Sequence, residues 1–254
     1  EPNQLGAEFR HTLYKHTGGN PLFAVEFLRG LKERGDLTKN EDGQWIAGPT
    51  MDWGRLPARV EAVIAERIGR LPPDLQDILT AASIEGETFT AEVVARALGL
   101  EEEETVQRLS GPLSKQYHLV AARRLRRCGN QRLSRYRFRH QLFQRYLYNR
   151  VDAVERARLH ETIGQALERM YQQQLQEVVA QLAYHFEAAG IVDKAVDYLF
   201  QAGQRSVRLS AYREAIEHFT RALELLDGLP KSPERDQKEL KLQLALGIPL
   251  QAIK

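Results

Sequence analysis

The chain has 254 residues with a formal net charge of +2; 43% of the residues are hydrophobic and 28% are charged, as in ordinary soluble globular proteins. Its single cysteine, Cys128, excludes an intramolecular disulfide framework and any zinc site built from several cysteines. No apolar run approaches the roughly 20 residues that span a bilayer, and no signal peptide opens the chain, so we expect a cytoplasmic protein without membrane association. Because it begins at Glu1 and ends inside a helical pattern, we expect it to be a piece of a longer protein.

Helical periodicity dominates the first half of the chain. Apolar residues recur at helical spacing over residues 56–70 and again after Pro72-Pro73, a pair that suits the start of a helix. Thr90 predicts the start of another helix and Gly99 its end. The Gly111-Pro112 pair predicts a kink or break in the helix that follows.

Two segments favour β-structure instead. Residues 37–47 alternate around a Gly-containing turn and predict a small hairpin. Residues 117–125 and 133–138 predict a second hairpin, with Cys128-Gly129-Asn130 at its turn. Three helices followed by such a ribbon are typical of a winged helix, here over residues 57–138, and we expect Cys128 to be exposed at the tip of the wing.

The wing belongs to a strongly basic part of the chain. Between Thr105 and Val151 there are twelve lysines and arginines and no Asp or Glu, so the rest of the chain is net acidic. Residues 123–139 could therefore meet nucleic acid, nucleotide phosphate or an acidic face of the same protein. The run from Glu101 to Glu104 is an available intramolecular partner.

The last third of the chain predicts a tetratricopeptide (TPR) repeat. The residues that match the template are Gly203, Ser206, Tyr212, Ala215, Phe219 and Ala222. We expect paired helices to approach closely at the small residues, with Phe219 filling the gap between pairs. A weaker frame precedes this one, at Phe186, Gly190, Ala195, Leu199 and Ala202, and a third begins at Leu246, Gly247 and Leu250. The alternative is an unrelated helical bundle.

Several kinds of chemistry have no signal in the sequence. No glycine is followed by lysine, which excludes a Walker A loop, and no apolar run ends in paired acids, which excludes Walker B. The seven histidines show no metal-ligand spacing, and there is no G-x-S-x-G motif. We therefore expect no catalytic residue, no metal ligand and no enzymatic activity in this chain by itself.

Two short motifs resemble elements of the STAND class of signal-transduction ATPases. Gly19-Asn20-Pro21-Leu22, followed by an amphipathic helix, resembles the "GNPL" element, and Phe138-Arg139-His140-Gln141-Leu142 resembles the F-x-H-x-L element. Their order, with a winged helix between them and TPR helices after them, is similar to bacterial AAA-type ATPase–TPR regions attached to nucleotide cyclases, protein kinases and helix-turn-helix regulators. The resemblance covers nearly the whole chain and corresponds to the part that follows the P-loop domain.

The resemblance implies a mainly α-helical fold of three parts. Residues 1–50 would form the C-terminal lid or helical end of an ATPase domain. Residues 51–172 would form a winged-helix-like domain with a small β-hairpin wing and the helices that follow it. Residues 174–254 would form truncated, TPR-like α-α superhelical hairpins.

The resemblance also implies a nucleotide site shared with the missing P-loop domain. Gly19, Asn20 and Pro21 would form a tight turn against the adenine, and His140 would reach the phosphate of ADP and hold a closed, inactive state. ATP or ADP with Mg²⁺ would bind in the parent protein only, and this chain would hold no cofactor by itself. From the residues alone, Gly-Asn-Pro is also an ordinary helix–helix turn, and His140 could simply pack at a domain seam.

The sequence therefore predicts a non-catalytic regulatory and protein-interaction module. Its expected partners are its own P-loop domain and a protein bound by the TPR helices. The alternative is a DNA-binding winged-helix transcriptional regulator with a TPR effector region. Four glutamates at the start of the helix that would read DNA make nucleic acid an unfavourable partner.

The last helix carries many apolar residues: Leu240, Leu242, Leu244, Leu246, Ile248, Leu250 and Ile253. A repeat helix cannot bury such a face alone, so the helix should either fray and pack back irregularly or pair with the same helix of another copy. We expect self-association, because pairing removes more apolar surface from water than fraying does.

Overall fold

The computed structural model describes residues 3–17, 19, 21–48, 51, 53, 58–128 and 131–253. Within them the chain is mainly α-helical with two small antiparallel sheets. It divides into two compact units, which we treat separately. Unit 1 comprises Glu1–Ala91, Glu103–Arg124 and Arg135–Val151, and unit 2 comprises Glu92–Glu102, Leu125–Ser134 and Asp152–Lys254.

The helices and strands follow one another along the chain. In chain order they are α1 (Ala7–Thr17), α2 (Pro21–Glu33), β1 (Leu37–Lys39), β2 (Trp45–Ala47), α3 (Ala58–Gly69), α4 (Pro73–Glu85), β3 (Thr88–Thr90), α5 (Ala91–Leu98), α6 (Glu102–Arg108), a π-helical segment (Leu109–Gln116), β4 (Val120–Cys128), β5 (Gln131–Phe138), α7 (Gln141–Arg150), α8 (Ala153–Met170), a 3₁₀ turn (Leu175–Glu177), α9 (Val179–Ala188), α10 (Val192–Arg208), α11 (Tyr212–Asp227) and α12 (Pro233–Ala252). No helix of the described residues is both long and apolar enough to cross a membrane.

Both predicted hairpins are confirmed. Strands β1 and β2 pair antiparallel with Leu37 opposite Ala47, and Gly43 takes a left-handed conformation in the turn between them. Strands β4 and β5 flank the second predicted turn, of which Gly129 and Asn130 lie outside the described residues.

A third strand, which the sequence analysis missed, completes the second sheet. Strand β3 pairs antiparallel with β5, and the strand order is β3-β5-β4. The fully buried Phe89 of β3 lies against Tyr136 and Phe138 of β5, with ring centroids 6.1 and 5.2 Å away. Three residues are too few for a visible alternation, so this strand depends on the hairpin for its pairing.

The helix interruption at Gly111-Pro112 is confirmed, but its form is a widened helix and not a stop. The α-helical turns end at Arg108, and the chain continues as the π-helical segment. The N–H of Tyr117 donates to the carbonyl oxygen of Pro112 five residues earlier, at 2.9 Å. Leu109 and Leu113 are thereby kept buried.

The prediction that Cys128 is exposed is wrong. Cys128 is buried, and its Sγ lies 3.5 Å from the carbonyl oxygen of Met170, at the end of α8 in the same unit. The hairpin position was predicted correctly, but its packing partner lies 42 residues further along the chain. No local pattern could show that contact.

Helices α8 to α12 of unit 2 pack one on the next in chain order. Gly203 of α10 permits the closest approach, because a Cβ placed there would lie only 2.4 Å from Cε1 of Phe219 in α11. Gly164 of α8 has the same relation to Phe186 of α9, at 3.2 Å. The predicted close approach at Gly203 is therefore confirmed, and a second one exists at Gly164.

Two other glycines do not have the packing role expected of them. Gly190 takes a left-handed conformation between α9 and α10, so its role is to end α9. The glycine that packs closely against Phe186 is instead Gly164 of α8. At Gly247 no described atom lies within 4 Å of a Cβ placed there.

Helix α12 does not fray before Ala252. It packs against α11, with Leu242 buried and Leu246 half-buried in the core. The other predicted apolar residues are exposed: Leu240, Leu244, Ile248, Leu250 and Ile253. Self-association through this helix stays a prediction.

Candidate functional site

The turn before α2 has the backbone that a Gly-x-Pro sequence favours. Gly19 has φ of +75°, and Pro21 is the first residue of α2. A Cβ at position 19 would lie 2.8 Å from the ring of the exposed Tyr14. Asn20 lies outside the described residues, so the predicted turn can be followed only at its first and last residues.

Helix α2 presents an aromatic face to the core of unit 1. Phe23, Phe27 and Leu31 are buried at four-residue spacing, which places them on one side of the helix. The ring of His16 in α1 stacks near Phe27, at 6.1 Å, and on Trp53, at 5.3 Å. This cluster fixes α2 against α1.

His16 is also bonded to α7. Its Nδ1 lies 2.7 Å from Nη1 of Arg145, and because a guanidinium can only donate, Nδ1 accepts the hydrogen bond. Burial and then the charge of Arg145 lower the pKa of His16. The histidine is therefore a neutral structural link in unit 1.

The structure brings the two motifs of the sequence analysis into contact. His140 is in an extended conformation immediately before α7, and its ring meets the ring of Phe23 edge to face at 5.8 Å. It also lies 6.1 Å from the ring of Phe143 in the first turn of α7. Phe23 follows Pro21 by two residues, so the GNPL helix reaches the F-x-H histidine through a residue that neither motif includes.

The ring of His140 has unused polar capacity inside the fold. Its Nδ1 is buried and makes no hydrogen bond within the described residues. Burial lowers the pKa of His140, and the nearby charges of Arg67 and Arg139 lower it further. Burial and the two positive charges therefore both favour the neutral form of the His140 imidazole.

Sequence analysis missed Arg67 and gave Arg139 no role of its own, although Arg139 lies within the F-x-H-x-L motif and the basic residues 123–139. Arg67 belongs to α3, and its guanidinium lies 5.1 Å from the centroid of the Phe143 ring, while its Nη2 donates to the carbonyl oxygen of Tyr117 at 3.2 Å. Arg139 donates through Nε to the carbonyl oxygen of Val120 at 3.2 Å. Arg67 is 73 positions before His140, so no motif spacing could connect them.

Glutamates of the run from Glu101 to Glu104 form ion pairs with arginines of helices α5 and α6. Glu102 accepts from Arg96 at 3.0 Å, and Glu104 pairs with Arg108, which also lies 3.3 Å from a carboxylate oxygen of Asp74. The β4 arginines Arg123 and Arg124 are exposed, and within the described part of the chain no ion pair joins either of them to a carboxylate.

Unit 2 contains a groove between α10 and α12. It has a volume of about 320 Å³, with Val196, Phe200 and Leu242 on its apolar floor and Asp197, Gln201, Lys238 and Lys241 around it. Nζ of Lys238 bridges Asp193 and Asp197 at 3.3 and 2.9 Å. The groove thus joins an apolar surface to a polar rim.

The described residues contain no group of three or more His, Cys, Asp or Glu side chains placed to hold a metal ion. The arrangement around His140 is suited to binding an anion, since cationic side chains and the first turn of α7 meet there.

Comparison with known proteins finds a partial match to an uncharacterized protein and shows no family. An uncharacterized protein of Rhizobium meliloti (strain 1021) is 33% identical over 112 residues, which is 44% of this chain and 11% of the relative. The chain thus spans a small part of the length of that relative. No protein-family model matches the chain, and no solved structure matches it.

Proposed function

We propose that this chain is a non-catalytic regulatory and protein-interaction segment of a STAND-type ATPase. Its winged-helix-like region, residues 51–172, acts as a lid that responds to the nucleotide state. Its C-terminal helices act as a TPR-like scaffold that binds a protein partner. The parent protein acts in the cytoplasm, where it binds ATP or ADP with Mg²⁺.

The contact between Phe23 and His140 is the observation that carries the proposal. The GNPL and F-x-H motifs are more than a hundred residues apart in the sequence, yet the ring of Phe23, the residue after GNPL, meets the ring of His140 at 5.8 Å in one compact unit. A nucleotide site built from both motifs requires such proximity.

The order of elements supports the winged-helix part of the proposal. Helix α4, strand β3, helices α5 and α6 and the β4–β5 hairpin follow one another, and β3 adds to the hairpin as a third strand. A lid can respond to a ligand only through contacts that differ between its two states. Phosphate contacts at His140 would be such contacts.

The repeated glycine–phenylalanine packing supports the TPR part. Gly164 with Phe186, and Gly203 with Phe219, give two successive helix pairs the same close approach. The groove between α10 and α12 is the surface we assign to the protein partner, because it combines an apolar floor with charged groups.

The proposal is tested in the parent protein with the substitution His140→Ala. We expect ADP to be released faster and basal output to rise, because the closed state loses its phosphate contact. The control is His11→Ala, which removes an exposed histidine from α1. Unchanged ADP retention in the His140 variant would remove His140 from the site and with it the lid assignment.

A further inference from the structure

We propose that Arg67 and Arg139 join His140 in a cationic cradle that binds a phosphate group. The cradle rests on the proposed function, because in the parent protein the phosphate would be that of the nucleotide.

The side chains of Arg67 and His140 meet at the first turn of α7. The guanidinium of Arg67 and the ring of His140 both lie against Phe143, at 5.1 and 6.1 Å from its ring centroid. Arg139 is the neighbour of His140 in the chain. Since α7 has ten residues and His140 stands directly before its first turn, the free N–H groups of the helix add positive potential at the same place.

Both arginines are anchored in a way that leaves donors available. Arg67 holds the carbonyl oxygen of Tyr117 and Arg139 holds that of Val120, each at 3.2 Å. These bonds fix the two guanidinium groups beside the same stretch of backbone. A guanidinium has five N–H donors, so each arginine retains several for an external oxyanion, and the anchored geometry reduces the entropy lost on binding.

The cradle has uncompensated positive charge. Residues 106–150 contain no Asp or Glu, and within the described residues no ion pair joins Arg67 or Arg139 to a carboxylate. Burial lowers the pKa of His140, and the two arginines lower it further because they repel a proton. A bound phosphate dianion would reverse this effect, because its charge offsets the repulsion and favours the imidazolium.

A phosphate fits this arrangement better than a carboxylate does. Several donors approach from α3, from the end of β5 and from α7, and a phosphate presents oxygens in more directions and carries more charge than a carboxylate. The competing occupant is an acidic segment of a neighbouring protein domain, and a poly-glutamate peptide represents it in the test.

The test titrates the intact chain with inorganic pyrophosphate and follows the imidazole of His140 by NMR, which detects weak binding. We expect pyrophosphate to raise the pKa of His140 and the substitution Arg67→Gln to weaken the binding about tenfold, as the loss of one charge-assisted hydrogen bond predicts. Arg139→Gln should weaken it by a similar factor. Arg70→Gln is the matched control, since Arg70 follows α3, is exposed and pairs with Glu66.

Thermal unfolding of each variant separates a binding defect from a folding defect. If Arg67→Gln and Arg70→Gln bind pyrophosphate equally well, the cradle is wrong. Binding of a poly-glutamate peptide that depends on Arg67, without binding of pyrophosphate, would also overturn the phosphate assignment. If ADP retention in the parent protein depends on His140 but not on Arg67, the lid stands and the cradle fails. The reverse result, with Arg67-dependent pyrophosphate binding but no effect of His140→Ala on ADP, retains the cradle and removes the lid.

Discussion

The Nδ1 atoms of His160 and His185 lie 2.9 Å apart and join α8 to α9 in the interior of unit 2. Both side chains are fully buried, and the ring of Tyr184 lies against each of them at 5.3 and 5.4 Å. One nitrogen must donate and the other accept, so the pair cannot exist with both rings protonated. Burial lowers the pKa of His160 to about 4 and that of His185 to about 3, with smaller contributions from the charge of Arg156 on His160 and of His160 on His185.

We predict that this pair makes unit 2 less stable below neutral pH. In the unfolded chain both histidines titrate near pH 6.5, so as the pH falls below that value the unfolded state takes up protons that the folded state refuses. The buried pair should therefore contribute its full stabilisation above pH 6.5. As the pH falls from 6.5 towards 4, the free energy of unfolding should decrease by up to about 1.4 kcal/mol per pH unit for each histidine. Urea unfolding at pH 7.5, 6 and 5 measures it.

The variant His185→Gln isolates the contribution of the pair from that of carboxylates and other histidines. We expect its stability to change less between pH 7.5 and 5 than that of the unmodified chain. His11→Gln, at an exposed position, should leave the pH dependence as it is. Equal pH dependence in all three proteins would contradict the assignment.

The histidine pair also illustrates which features a sequence can reveal. The helices and both hairpins follow from local periodicity and turn residues, and the Gly203–Phe219 contact follows from a repeat template whose spacing includes both residues. His160 and His185 lie on different helices with no motif to connect them, so only the packing of α8 on α9 brings them together.

Some residues of the candidate site can likewise be recognised in the sequence, and others cannot. Gly19, Pro21 and His140 stand out in the sequence because each belongs to a short motif. Phe23 and Arg67 do not stand out, because Phe23 lies on an ordinary apolar helix face and Arg67 on a polar one. Their place in the site depends on which element packs beside them in the fold.

We predict that Gly203→Ala destabilises the chain. The new Cβ would meet Cε1 of Phe219 at 2.4 Å, and because the buried Phe219 ring has little room to move, the overpacking should cost about 1–3 kcal/mol. The matched control is Gly247→Ala, also inside a helix, where no described atom lies within 4 Å of the new Cβ. There the greater helix propensity of alanine should leave stability unchanged or raise it by up to about 1 kcal/mol. Equal effects at the two positions in urea denaturation would show that the approach of α10 to α11 is wrong.

The exposed arginines of β4 should bind DNA weakly and without sequence preference. Arg123 and Arg124 can release counterions from any phosphate backbone, so fluorescence anisotropy with a mixed-sequence duplex should show binding that disappears between 50 and 200 mM salt. Replacing both by glutamine should reduce the slope of log K against log salt concentration by about 2. A complex that prefers one sequence and survives physiological salt would instead favour the DNA-binding regulator.

The isolated chain should hydrolyse no ATP above background. Its sequence supplies neither the glycine-rich phosphate loop nor the acidic Mg²⁺ ligand that phosphoryl transfer requires. A coupled phosphate-release assay on the purified chain is sufficient. Turnover that vanished with Asn20→Ala or His140→Ala would show that these residues belong to a complete active site, and the regulatory assignment would then be wrong.

The exposed face of α12 should bring two copies of the chain together. Leu240, Leu244 and Ile248 follow one another at four-residue spacing, so they form one stripe on the helix, and each is more than half exposed at 59%, 69% and 59%. Leu242 and Leu246 already pack in the core of unit 2, so the stripe cannot turn inward without exposing them.

Pairing of two such stripes would remove all six side chains from water. Light scattering should therefore show a dimer at high micromolar concentration and a monomer for the double variant Leu240→Glu/Leu244→Glu. The control is Val154→Glu, which places a single glutamate at an exposed apolar residue of α8 and should leave the dimer intact. If the unmodified chain is strictly monomeric while circular dichroism shows its full helix content, the stripe on α12 does not drive self-association.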